Sequence, residues 1–186
     1  MPAAAQRIEI SPFGGYRLGW SVAEIGGAPV TRDDGGVSFG VVADIPFGPP
    51  HDGYRFELLV SRESAMVTAR PSVLDPPVRA HVTVDQIMIG AMQELDDAPA
   101  RPFVSGLIGV TRYAAPGEAD VRFAVGLAGG GKFFANPHLG LRLDGRVFMT
   151  IISVSGGAAC AGGCVVAFNA NPVFQGEVTA GLIVVF

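Results

Sequence analysis

Few residues in this chain have the type and spacing to do chemistry, and each has a specific requirement to meet. Gly126-Leu127-Ala128-Gly129-Gly130-Gly131-Lys132-Phe133 nearly spells a phosphate-binding loop. That loop needs Ser or Thr after the lysine and a helix to follow, whereas Phe133 follows here inside an alternating stretch, which reads as strand glycine. Of the three histidines, His51 and His138 fall in short turns. His81 lies near one end of a strand, where an acyl hydrolase would need a serine and an orienting acid within reach. Ser61 and Ser64, with Glu63, on the preceding strand are the candidates, and no motif supports them. Cys160 and Cys164 lack the further soft ligands that a metal site requires. No catalytic residue, metal ligand or cofactor is therefore assigned. What remains is charge set at alternate positions along strands, and the strands decide what that charge does.

The composition is 49% hydrophobic and only 16% charged, with a mean hydropathy of +0.40. This is too apolar for an ordinary soluble domain. Yet no apolar run approaches the roughly 18 residues of a membrane helix. Alternation explains both facts. The net charge of −4, with scattered basic residues, offers nothing to a nucleic-acid backbone.

Eight strands are expected, at about residues 7–21, 37–47, 54–64, 79–95, 103–113, 121–134, 139–153 and 174–186. The first sets Ile8, Ile10, Tyr16, Leu18 and Trp20 against Glu9, Ser11 and Arg17. The seventh sets Leu139, Leu141, Leu143, Val147 and Met149 against Arg142, Asp144, Arg146 and Thr150. In the fourth, Val82 and Val84 and then Ile87 and Ile89 all claim one face, which predicts a bulge. The faces of the fifth do not separate. Long and short connections mostly alternate, so all long loops gather at one end.

Aromatic residues mark both ends of the apolar faces, as interfacial girdles do: Phe47, Tyr54, Phe133 and Phe186 at the short-turn end, Trp20, Tyr113 and Phe174 at the other. Small residues on the opposing face (Gly40, Gly126, Gly130, Gly140) suit a narrow interior. That interior is expected to hold Glu9, Asp44, Glu57, Asp85, Asp144 and Glu177 against Arg17, Arg55, Arg122, Lys132, Arg142 and Arg146. Eight strands leave only enough room for side chains, so near-equal numbers of both signs predict a paired plug.

The last eight residues, with Thr179, Gly181, Val184 and Phe186 at defined positions, resemble the terminal signal that assembly machinery reads on outer-membrane barrels. Arg101–Gly106, Gly129–Phe133 and Gly140–Leu143 look like recurring strand ends of the small eight-stranded outer-membrane barrels, the OmpA-like membrane-domain type. The resemblance spans the chain. It implies an all-β, eight-stranded, antiparallel up-and-down transmembrane β-barrel over residues 7–186, preceded at 1–6 by the remnant of a signal-peptide cleavage region around Ala3-Ala4-Ala5. It further implies the bacterial outer membrane, with outer-membrane lipid and the barrel assembly machinery as partners and an extracellular partner that the sequence does not identify. In that oxidising location, Cys160 and Cys164 read as a disulfide. The expected role is a closed structural or surface-interaction barrel working through its loops, not an enzyme. A conduit for small solutes or apolar ligands is the alternative, and a soluble lipocalin-like binding barrel is the less favoured one.

Overall fold

The structure is a computed structural model that describes residues 7–19, 23–25, 28–31, 35–49, 52–69, 78–95, 100–115, 118–154 and 170–186. Met1–Gln6, Trp20, His51, Cys160 and Cys164 lie outside the described residues. Among the described residues ten strands follow in order: β1 (Glu9–Gly19), β2 (Ala23–Ile25), β3 (Ala28–Thr31), β4 (Gly36–Pro46), β5 (Tyr54–Ala69), β6 (Val78–Glu94), β7 (Ala100–Ala115), β8 (Glu118–Asn136), β9 (Leu139–Val154) and β10 (Ala170–Val185). Eight of them, β1 and β4 to β10, close into one antiparallel barrel as expected. The short strands β2 and β3 form a hairpin within the first long connection, with β3 extending the wall beside the upper end of β5.

Closure solves the edge problem of the terminal strand, because a free edge would expose unpaired backbone groups. Glu9 stands opposite Val185 and Gly19 opposite Gln175 across the seam, and Phe186 N donates to Ile8 O at 3.0 Å. The short turns sit at the same end. Gly48 and Gly53 take φ of 79° and 65° between β4 and β5, a region glycine enters without strain. Between β8 and β9, Asn136 Oδ1 accepts from the backbone N–H groups of His138 and Leu139, both at 2.9 Å.

Strand alternation puts the apolar face outside. Leu127, Leu182, Ile89 and Phe56 are more than half exposed, while Arg17, Lys132 and Arg142 are almost fully buried inside. A soluble barrel reverses this arrangement, so this is a wall made to meet lipid. An apolar cluster of Phe13, Val42, Leu59, Met88, Leu107, Ala124 and Phe148 fills part of the lumen. Gly126 makes room for it, since a Cβ there would sit 3.0 Å from the Phe148 ring.

Three expectations need correction. β6 has no bulge: its pairing with β5 and with β7 runs without a register shift. Val84, Met88 and Met92 point inward while Ile87 and Ile89 point outward, because this strand is apolar on both faces. Asp85 shares the outward parity of Ile87 and is therefore not in the lumen. Tyr113 lies in the inward register, opposite buried Val84, and is not part of an outer girdle. Phe174 points outward at the loop end as expected, and Tyr16, Phe39 and Phe123 supply further outward rings toward it.

Candidate functional site

The lumen is the most highly charged region among the described residues. β1, β4, β5, β6, β8, β9 and β10 each turn at least one charge inward, on the face that takes every second residue, and the barrel brings these charges together. Seven buried carboxylates (Glu9, Asp44, Glu57, Glu63, Glu94, Asp144, Glu177) face five buried bases (Arg17, Arg55, Lys132, Arg142, Arg146). They form a continuous chain along the axis. At the short-turn end, Arg55 reaches Glu9 and Glu94 at 2.8 and 2.7 Å, and Lys132 contacts Glu9, Asp44 and Glu94 at 2.7 to 2.8 Å. In the centre, Arg142 donates to Asp44, Glu57 and Asp144 at 2.8, 2.9 and 3.0 Å. Arg146 then joins Asp144 to Glu177. Arg17 links Glu177, at 2.8 Å, to Glu63, at 3.5 Å, nearer the loop end.

Aromatic faces cover the cations. Arg142 and Arg146 lie 4.6 Å from the ring centres of Phe103 and Phe13, and Arg17 lies 5.2 Å from that of Phe148. This contact favours a desolvated guanidinium. At the short-turn mouth, a recess of about 270 Å³ ends on Glu9 and Arg55. Beyond it, the ion pairs and the apolar cluster lie in the lumen together with buried polar side chains such as Ser11, Gln86, Thr111 and Gln175.

Ten of the twelve charges expected inside are buried there, and two are not. Asp85 is on the outer wall. Arg122 holds the inward register at the loop end, but its side chain is 39% exposed and pairs at 2.7 Å with Asp120, apart from the buried chain. Glu63 and Glu94 complete the network without having been among the charges expected inside. Both follow from parity: Glu63 continues the Arg55–Glu57–Ser61 face, and Glu94 lies two residues beyond inward Met92.

The Ser–His–acid arrangement does not assemble. Ser61 and Glu63 point inward, where Ser61 Oγ accepts from Arg17 at 2.8 Å, whereas Ser64 and His81 point outward. Of the terminal-signal residues, Thr179 points inward and donates to Asp144 at 2.8 Å, and Gly181 packs against Phe13 Cβ, which a Cβ there would meet at 3.0 Å. Val184 and Phe186 point outward, Phe186 at 72% exposure.

No family model and no curated protein matches the chain. Solved structures do. Neisserial surface protein A (NspA) is 15% identical over 97% of each chain, with a TM-score of 0.61. The outer membrane protein OprG from Pseudomonas aeruginosa is 14% identical over 98% of this chain and 96% of its own, with a TM-score of 0.62. The chain has the fold of the small outer-membrane β-barrels. At that identity the likeness carries the architecture, and the contents of the lumen have to be read from this chain's own residues.

Within that fold, outward charge is scarce. Among the described side chains, the charges on the outward face of the barrel strands are Arg62, Asp85 and Arg112. They are direct cross-strand partners on β5, β6 and β7. Arg62 donates to Asp85 through Nε at 2.6 Å and a terminal nitrogen at 3.1 Å, and Arg112 donates to it at 3.1 Å.

Proposed function

We propose that this protein resides in the bacterial outer membrane as a closed barrel whose work is done by its loops, not by transport or catalysis. The observation that carries this reading is the unbroken run of ion pairs from Glu9 to Glu63 through Arg142, with the apolar cluster beside it. A water-filled porin lumen needs wetted charge, whereas each of these groups is buried against at least one partner of opposite sign. Outer-membrane lipid and the barrel assembly machinery are the partners this reading implies, and an extracellular partner would meet the loops.

Planar-bilayer recording tests the closure. The wild-type chain should show no stable, reproducible steps. A steady conductance that changes on Arg142→Ala or Glu57→Ala would replace this reading with the conduit. Two further expectations belong with it. Deleting Phe186 should lower delivery to the outer membrane in cells more than it lowers refolding into detergent, because the exposed terminal ring serves recognition. Normal delivery of the truncated chain would remove that role. Cys160 and Cys164 should be bonded to each other in exported protein, so that thiol labelling of the denatured, unreduced chain finds none. Two reactive thiols would refute the pairing.

A further inference from the structure

We propose that the outer wall across β5, β6 and β7 carries a binding site for a single anionic lipid whose headgroup presents a phosphate monoester. The inference rests on the barrel spanning a membrane and goes beyond closure of the lumen. Arg62, Asp85 and Arg112 are the charges on the outward face among the described side chains of the barrel strands, in one row on three adjacent strands. Eight residues above Tyr54 on β5, at about 3.3 Å each and a tilt of about 40°, Arg62 stands roughly 20 Å up the axis, near the upper edge of a ~25 Å apolar band. That is headgroup depth on the loop side, where a charge can meet a lipid phosphate and the residues below it meet acyl chains.

The geometry suits a phosphate. A guanidinium carries five N–H donors. Asp85 takes two from Arg62 and one from Arg112, so both heads keep donors to spare. The two arginine side chains are 54% and 47% exposed, while Asp85 is 15% exposed between them. Asp85 thus fixes the two forks side by side and leaves the row with a net positive charge. Paired guanidiniums match phosphate oxygens in a way that single ammonium groups do not.

An acyl-chain track adjoins the row. A groove of about 540 Å³ includes all three charged residues, with Phe39 beside Arg62 in the same row and Val41, Val60, Ile87 and Val110 below them as its apolar floor. Cation above and apolar groove below match one lipid molecule, its phosphate on the arginines and one chain in the groove.

Native mass spectrometry of the full chain, folded in detergent, tests this with dioleoyl phosphatidic acid and dioleoyl phosphatidylcholine supplied at equal concentration. The expected result is one retained phosphatidic acid per chain, favoured at least tenfold over phosphatidylcholine. Arg62→Ala with Arg112→Ala should bring the ratio close to one, while Arg122→Ala, which removes an exposed arginine outside the groove, should leave it unchanged. Heat-dependent gel mobility reports whether each variant is folded. Equal retention of both lipids, or equal loss in Arg122→Ala, would overturn the site. Displacement of the lipid by equimolar inorganic phosphate would overturn the role of the groove. A dimer abolished by the double substitution would assign the groove to a second copy of the chain. Insertion of the wild-type chain into phosphatidylcholine vesicles, scored separately, distinguishes failure of the membrane reading from failure of the site.

Discussion

The lumen and the outer face of β5 to β7 use the same pair, arginine against carboxylate, in opposite settings. Inside, Arg142 is held by three carboxylates at 2.8 to 3.0 Å and its side chain is 1% exposed. Outside, Arg62 and Arg112 share one carboxylate and stay about half exposed. A buried ion loses its water and must recover that cost from partners, so the inner pairs are all or nothing. An exposed pair gains little from its partner and keeps donors for a ligand. Similar sequence chemistry thus closes the barrel on one side of the wall and offers a contact on the other.

Substitutions can break this comparison, and their expected effects fall in order. Arg142→Ala should be the most damaging, since it takes from Glu57 the cation bonded to it and leaves Asp44 to Lys132 and Asp144 to Arg146, at a cost of about 3–5 kcal/mol. Urea unfolding in detergent or vesicles measures it. Lys132→Met removes the shared partner of Glu9, Asp44 and Glu94, but Arg55 and Arg142 remain beside them, so about 2–3 kcal/mol is expected by the same assay. Glu177→Gln keeps the shape between Arg17 and Arg146 and loses only the charge, for about 1.5 kcal/mol. Arg62→Ala with Arg112→Ala should leave the unfolding midpoint where it was. An outer double variant as unstable as Arg142→Ala would erase the distinction. If Arg142→Ala does admit ions, the seven buried carboxylates against four remaining buried bases make cation selectivity the expected sign in a reversal-potential measurement.

How much of this the sequence shows depends on the strand. β8 and β9 are legible because apolar and polar residues alternate cleanly, so alternation alone puts Lys132, Arg142, Asp144 and Arg146 inside. β6 is not, because methionines fill its inner face and isoleucines its outer one, and apolar character then says nothing about direction. A bulge that reconciles Val84 with Ile87 puts Asp85 on the wrong side. Unbroken parity from Met92 corrects Asp85 and finds Glu94 together. The row of Arg62, Asp85 and Arg112 is beyond the reach of sequence for a different reason: it depends on the register of three strands, and alternation within one strand does not fix the register between two. The apolar cluster inside the lumen escapes a reading that assigns every apolar residue to lipid.

Inside against outside is tested most directly on two neighbouring residues of β7. Val104 is 51% exposed on the outer face, and Ser105 is 6% exposed in the lumen. Spin labels would be attached at Val104→Cys and Ser105→Cys in the vesicle-inserted chain, and their collisions with dissolved oxygen and with a water-soluble nickel chelate compared. A lipid-facing wall around a closed lumen predicts a label at 104 reached by oxygen and not by nickel, and a label at 105 reached by neither. Nickel access at 105 would show an open, water-filled lumen, and nickel access at 104 would show that the outer face does not meet lipid; either result contradicts the account.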